Sequence, residues 1–145
     1  MPSMPVSSSR FGILVLATLL PLTSGCSSAT KEISKPVFPV RGQVFVQNKP
    51  AGGAFVLLVP VNEPAEAPDP RPRAEVGEDG SFQLATYGDN DGAPAGEYIV
   101  TITWPGDENA NEPPDKLRGR YSDATKSPMR ATVKEAANEL PPYRL

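Results

Sequence analysis

The chain contains no histidine and a single cysteine, Cys26, among its 145 residues. Without histidine, neither a Ser-His-Asp nor a Cys-His nucleophile arrangement can be assembled. One thiol cannot close an internal disulfide, and no Cys/His zinc set of familiar spacing is available. An excess of positive charge is also missing: the formal net charge is −3, so nothing points to nucleic acid or to an anionic membrane surface. No metal-ligating or cofactor-binding set is expected, and none is assigned. What the chain has in quantity is 18 prolines and 12 glycines, which break long helices and favour short strands joined by turns.

The first 25 residues differ from the rest. Arg10 precedes an almost unbroken apolar run, Phe11 to Leu20, which is the layout of a secretory signal peptide. The run falls short of the roughly 20 apolar residues that span a bilayer, and Pro21 ends it. The next stretch, Leu22-Thr23-Ser24-Gly25-Cys26, resembles the lipobox of bacterial lipoproteins, with Thr23 where leucine is more usual. That resemblance implies cleavage after Gly25, a thioether-linked diacylglycerol on Cys26, and stable attachment to a bacterial membrane at its periplasmic or outer face through more than one acyl chain. Residues 26–39 lack a sustained hydrophobic period and read as a flexible tether.

From Val40 the period changes to two. Val40, Gly42, Val44 and Val46 alternate with Arg41, Gln43, Phe45 and Gln47, as in a strand with one buried face. Ala54 to Val61 is apolar throughout and predicts the most buried strand. Asp79-Gly80 supplies the left-handed turn of a hairpin between Ala74–Val76 and Ser81–Tyr87, with Phe82, Leu84 and Thr86 sharing its inner face. Glu97 to Trp104 places Tyr98, Val100, Ile102 and Trp104 on one face. Trp104 then serves as a core or rim anchor, or, facing solvent, as a platform for a sugar or partner. Lys116 to Tyr121 reads as a strand with a basic, solvated face. Ser127–Val133 and Glu139–Leu145 follow, with Pro141 and Pro142 sending the last segment to an edge. About seven short strands predict an all-β, single antiparallel Greek-key-type β-sandwich over residues 40–145.

The residues of these strands and turns carry a second resemblance. Val40, Gly42 and Val44, the turn at Lys49-Pro50, the run Gly53, Ala54, Val56, Leu58 and Pro60, the hairpin Asp79-Gly80-Ser81-Phe82 and the segment Pro94 to Thr101 are similar to the carboxypeptidase regulatory-like, transthyretin-related domains. The likeness covers roughly residues 38 to 145 and implies the prealbumin-like sandwich. It is particularly similar to short bacterial lipoproteins of that type, which have no established activity. Tyr143-Arg144 is similar to part of the ending of the transthyretin-like purine-pathway hydrolases, but their histidines and Gly-Ser ending are absent, so that activity is not carried over.

Three functional readings follow. The first is a lipid-anchored, non-catalytic envelope protein whose sandwich is a structural or binding module for an envelope protein or polysaccharide. The second is a carbohydrate-binding module that uses Trp104, Tyr87 or Tyr121 as a stacking platform. The third is a small hydrolase built on two loop carboxylates among Asp89, Asp91, Asp107, Glu108 and Asp115, a pair that would need a fixed separation in a cleft. Asp89-Asn90-Asp91-Gly92 also sets oxygen donors beside a glycine as calcium loops do, but Tyr87 and Tyr98 stand where a helix-loop-helix site needs carboxylates. The stretch therefore reads first as an Asx-rich turn.

Overall fold

The computed structural model describes residues 34–62, 71–106 and 114–145. The leader, Cys26, Asp107 and Glu108 lie outside the described residues. Among those described, the regular structure is all β: β1 (Val37–Phe38), β2 (Val40–Val46), β3 (Lys49–Pro50), β4 (Phe55–Pro60), β5 (Arg73–Glu75), β6 (Ser81–Gln83), β7 (Ala93–Pro94), β8 (Gly96–Thr103), β9 (Arg130–Val133), β10 (Asn138–Glu139) and β11 (Tyr143–Arg144). One antiparallel sheet runs in the order β5-β4-β8-β9. A second is organised on β2, which pairs antiparallel with β3 and β6 and parallel with β10 and β11. The two inner faces enclose the core, which takes Val40 and Val44 from β2, Val56 and Leu58 from β4, Val100 and Ile102 from β8, and Phe82 and Leu84 from the β6 segment. The all-β class and the sandwich expected from the alternating pattern are what the described residues adopt.

The expected period holds along β2: Val40, Gly42 and Val44 face inward, while Arg41 and Gln43 are exposed. Gly42 pairs with Phe82, and a Cβ at Gly42 would overlap the Phe82 ring. The glycine therefore leaves space for an aromatic side chain lying across the strand, which recovers the apolar contact that glycine itself lacks. Tyr98 is pinned in a comparable way. Its hydroxyl donates to the Pro94 carbonyl at 2.8 Å, tying the start of β8 to the strand before it.

Four expectations need correction. β4 is not apolar-buried on both faces: Val56 and Leu58 point into the core, whereas Leu57 and Val59 are half-buried and Phe55 is 46% exposed. β8, with Tyr98, Val100, Thr101 and Ile102 all buried, is the more enclosed strand. Lys116 to Tyr121 is a chain of turns and not a strand. The Asp115 carboxylate captures the N–H groups of Leu117 and Gly119 at 3.0 and 2.8 Å, donors that a strand would present to a neighbour, and Arg118 and Gly119 take positive φ. The C-terminal segment forms two short strands, β10 and β11, on either side of Leu140-Pro141-Pro142, and both pair parallel to β2, so the architecture is not purely antiparallel. Finally, Val37–Phe38 pairs with Ala93–Pro94, so sheet structure begins inside the segment read as tether.

Candidate functional site

A wide depression grows out of the way one hairpin is split between two sheets. β5 hydrogen-bonds to β4, and β6 hydrogen-bonds to β2. The hairpin they form is closed at its turn, where Gly77 N–H donates to the Ser81 carbonyl at 2.8 Å, and at its far end, where Arg73 and Ala85 exchange bonds of 3.0 and 2.9 Å. Between these closures each strand is committed to a different sheet, and the surface over the splay is concave. A groove of about 870 Å³ results, floored by Val56, Ala74 and Phe82 and walled by Phe55, Leu57, Arg73, Glu75, Ser81, Gln83, Asp89, Asn90 and Thr103. Its volume lies in the range of small-ligand sites, about 300–1,000 Å³.

Register explains which side chains reach it. Phe55 is paired with Glu75 on one side and Thr103 on the other, and Leu57 with Arg73 and Thr101. Because alternate residues share a face, Phe55, Leu57, Arg73 and Glu75 all project outward from the sheet. A second depression of about 310 Å³ adjoins, lined by Gly52, Gly53, Phe55, Glu75, Trp104, Pro105, Gly106 and Lys116. Phe55 and Glu75 belong to both.

The sequence candidates separate on this geometry. Asp91 is consumed by its own loop: one carboxylate oxygen accepts from Thr86 N–H at 2.7 Å, and the other from Tyr87 and Gly88 N–H at 3.0 and 2.9 Å. Partial burial works to raise its pKa, but these backbone donors together outweigh it and hold the carboxyl below its usual value of 3.8. The carboxylate thus faces N–H donors, the wrong polarity for a cation, and the Asx-rich turn is the form this stretch takes. Asp115 is committed in the same way, accepting from Trp104 and Leu117 N–H through one oxygen and from Gly119 N–H through the other. Among the described residues no three His, Cys, Asp or Glu side chains cluster as a metal site. Asp89 alone of the described loop candidates lines the groove, in company with Glu75.

The aromatic residues do not assemble as the platform reading requires. Trp104 packs half-buried against the core, its indole N–H donating to the Gly52 carbonyl at 3.0 Å, with the Lys116 ammonium 4.6 Å from the ring centre. Tyr121 also packs against the core. Tyr87 is 48% exposed but sits on the Asp91 loop, where its hydroxyl accepts from Lys35 N–H at 2.9 Å. Tyr143 is buried, and desolvation pushes its hydroxyl up to about 12. Of the two aromatics that line the groove, Phe82 is buried and Phe55 exposed; Phe55 lies in an apolar run, and only the pairing register distinguishes its face from that of Val56.

Among the described residues no helix is long and apolar enough to cross a membrane. No protein-family model matches the chain, and no curated protein matches it. Among solved structures it is similar to a DUF3823 family protein from Parabacteroides merdae, with 17% identity and a TM-score of 0.41 over 74% of this chain. The match spans 45% of that protein's resolved chain.

Proposed function

We propose that this chain is a lipid-anchored, non-catalytic binding module of a bacterial cell envelope, held to the membrane through Cys26 and presenting a carboxypeptidase regulatory-like sandwich to an envelope partner. The anchor is argued from the leader and the Gly25-Cys26 junction. The observation that supports binding is the groove over the β5–β6 splay. Its polar side chains Arg73, Glu75, Gln83 and Asp89 make no side-chain hydrogen bond or ion pair among the described residues. Polar side chains that hold no part of the fold, gathered around an exposed Phe55, are the composition of a recognition surface.

Two measurements test this reading. In membrane fractionation of intact cells, the wild-type chain sediments with membranes and Cys26→Ser is released; equal sedimentation of the two removes the anchor. With a photo-crosslinking residue in place of Gln83, irradiation attaches an envelope component, and attachment falls in the Cys26→Ser background.

One observation favours a second reading, a carboxylate-based hydrolase: Glu75 and Asp89 line the same groove, and glycoside hydrolysis uses two such groups. Turnover of aryl glycosides by the wild-type chain, abolished in Glu75→Gln and Asp89→Asn, would establish it in place of the non-catalytic reading.

A further inference from the structure

We propose that the groove takes an uncharged polysaccharide chain, with Phe55 as its stacking surface and the Trp104 depression as its continuation. This rests on the binding-module reading above and names its ligand class.

Three features select that chemistry. Across the two depressions the ionisable lining groups balance: Arg73 and Lys116 against Glu75 and Asp89. A charged polymer of either sign would meet as much repulsion as attraction there, whereas a neutral one meets none. The hydrogen-bonding inventory is mixed, since an Arg side chain only donates, ionised carboxylates only accept, and the Gln83 amide does both. Sugar hydroxyls, each a donor and an acceptor, satisfy such a mixture along their length.

The third feature is Phe55 itself. The residue is 46% exposed and, with Glu75, lines both depressions. The C–H face of a pyranose is apolar and carries slight positive charge, which suits the negative face of an aromatic ring. An extended peptide is the poorer fit. Peptides that dock on sheets add to a free strand edge, and here β5 has β4 on one side, while its other edge is closed at Arg73 by Ala85 and just past its end at Gly77 by Ser81, which leaves too short an open edge for an added strand.

Calorimetric titration of the full chain in detergent micelles with laminarin, xylan, galactomannan and chitohexaose tests the proposal. Trp104, the chain's one tryptophan, provides a parallel fluorescence signal. We expect saturable binding of at least one of these glycans, weakened tenfold or more in Phe55→Ala and retained in Phe55→Tyr, with the melting temperature of both variants unchanged. Glycan binding that Phe55→Ala leaves intact overturns the placement. Silence with all four glycans, while crosslinking from position 83 in cells captures a protein, overturns the polysaccharide and leaves the binding module standing. Silence in both experiments overturns the two together.

Discussion

Asp89 and Asp91 lie two residues apart in one loop and have opposite fates. Asp91 spends both carboxylate oxygens on the N–H groups of Thr86, Tyr87 and Gly88, donors that the loop would otherwise leave unsatisfied. Asp89 makes no hydrogen bond or ion pair among the described residues and stands at the wall of the groove. Asp79, Asp115 and Asp123 follow Asp91: each accepts from nearby backbone N–H groups within its own turn. Glu75 follows Asp89. An acidic loop residue is therefore either a turn-maker or a surface available to something else, and residue type does not say which. Local backbone geometry does, because only a carboxylate that can swing back over successive N–H groups becomes part of the fold.

If this division is correct, damage to the Asp91 loop should be felt as lost stability, and damage to the groove should not. Gly92→Ala should have the largest effect. Gly92 has φ +103°, and an added Cβ would collide with the Phe38 backbone, so strain and a forced separation of β1 from the loop should cost more than about 3 kcal/mol. Denaturant unfolding measures it, and a loss below about 1 kcal/mol would mean that the loop yields easily.

Asp91→Ala comes next. Removing an ionised acceptor leaves three backbone donors without it, and a loss of about 2 to 3 kcal/mol is expected from thermal and denaturant melts. Asp91→Asn should lose less, since one oxygen acceptor remains.

The same carboxylate sets a pH dependence. Its folded pKa is depressed below 3.8, so its contribution is complete above the unfolded value and disappears as pH falls through the folded one. Melting temperature followed from pH 5 downward should fall, and the Asp91→Asn chain should show a shallower fall over the same window. Identical slopes would assign the acid sensitivity to other groups.

The smallest effects belong to the groove. Glu75→Gln and Asp89→Asn, alone or together, should shift stability by no more than about 0.5 kcal/mol, as expected of exposed side chains without partners. A larger loss would show that the groove acids hold the fold as Asp91 does, and the distinction would collapse.

Much of the architecture could be read in advance because it rests on local rules. The alternation of β2 exposes its period directly. Asp79-Gly80 announces a turn, and Gly80 indeed takes φ +85° while Asp79 accepts from Ser81 N–H. The alternation that buries Tyr98, Val100 and Ile102 ends at Trp104 and leaves it either an anchor or a solvent-facing platform; its packing against the core makes it the anchor. What escaped was non-local. β4 is apolar along its whole length, and hydropathy says nothing of whether an outer face will be covered; that depends on elements brought from elsewhere. Lys116 to Tyr121 alternates like a strand, but Asp115 just ahead of it removes the N–H groups a ladder would use. The groove needed three facts at once: that β5 and β6 join different sheets, that Phe55 sits opposite Glu75, and that Asp89 projects beside them. None of these is a property of a short stretch of chain.

The proposed binding reading requires that the groove, and not the acid-rich turns, is where the protein meets its partner. Photo-crosslinking in intact cells from position 83 in the groove and from position 123 on the Asp123 turn compares them within one protein. A discrete covalent adduct is expected from position 83 and none from position 123. Adducts of equal yield from both positions, or one from position 123 alone, would contradict that reading.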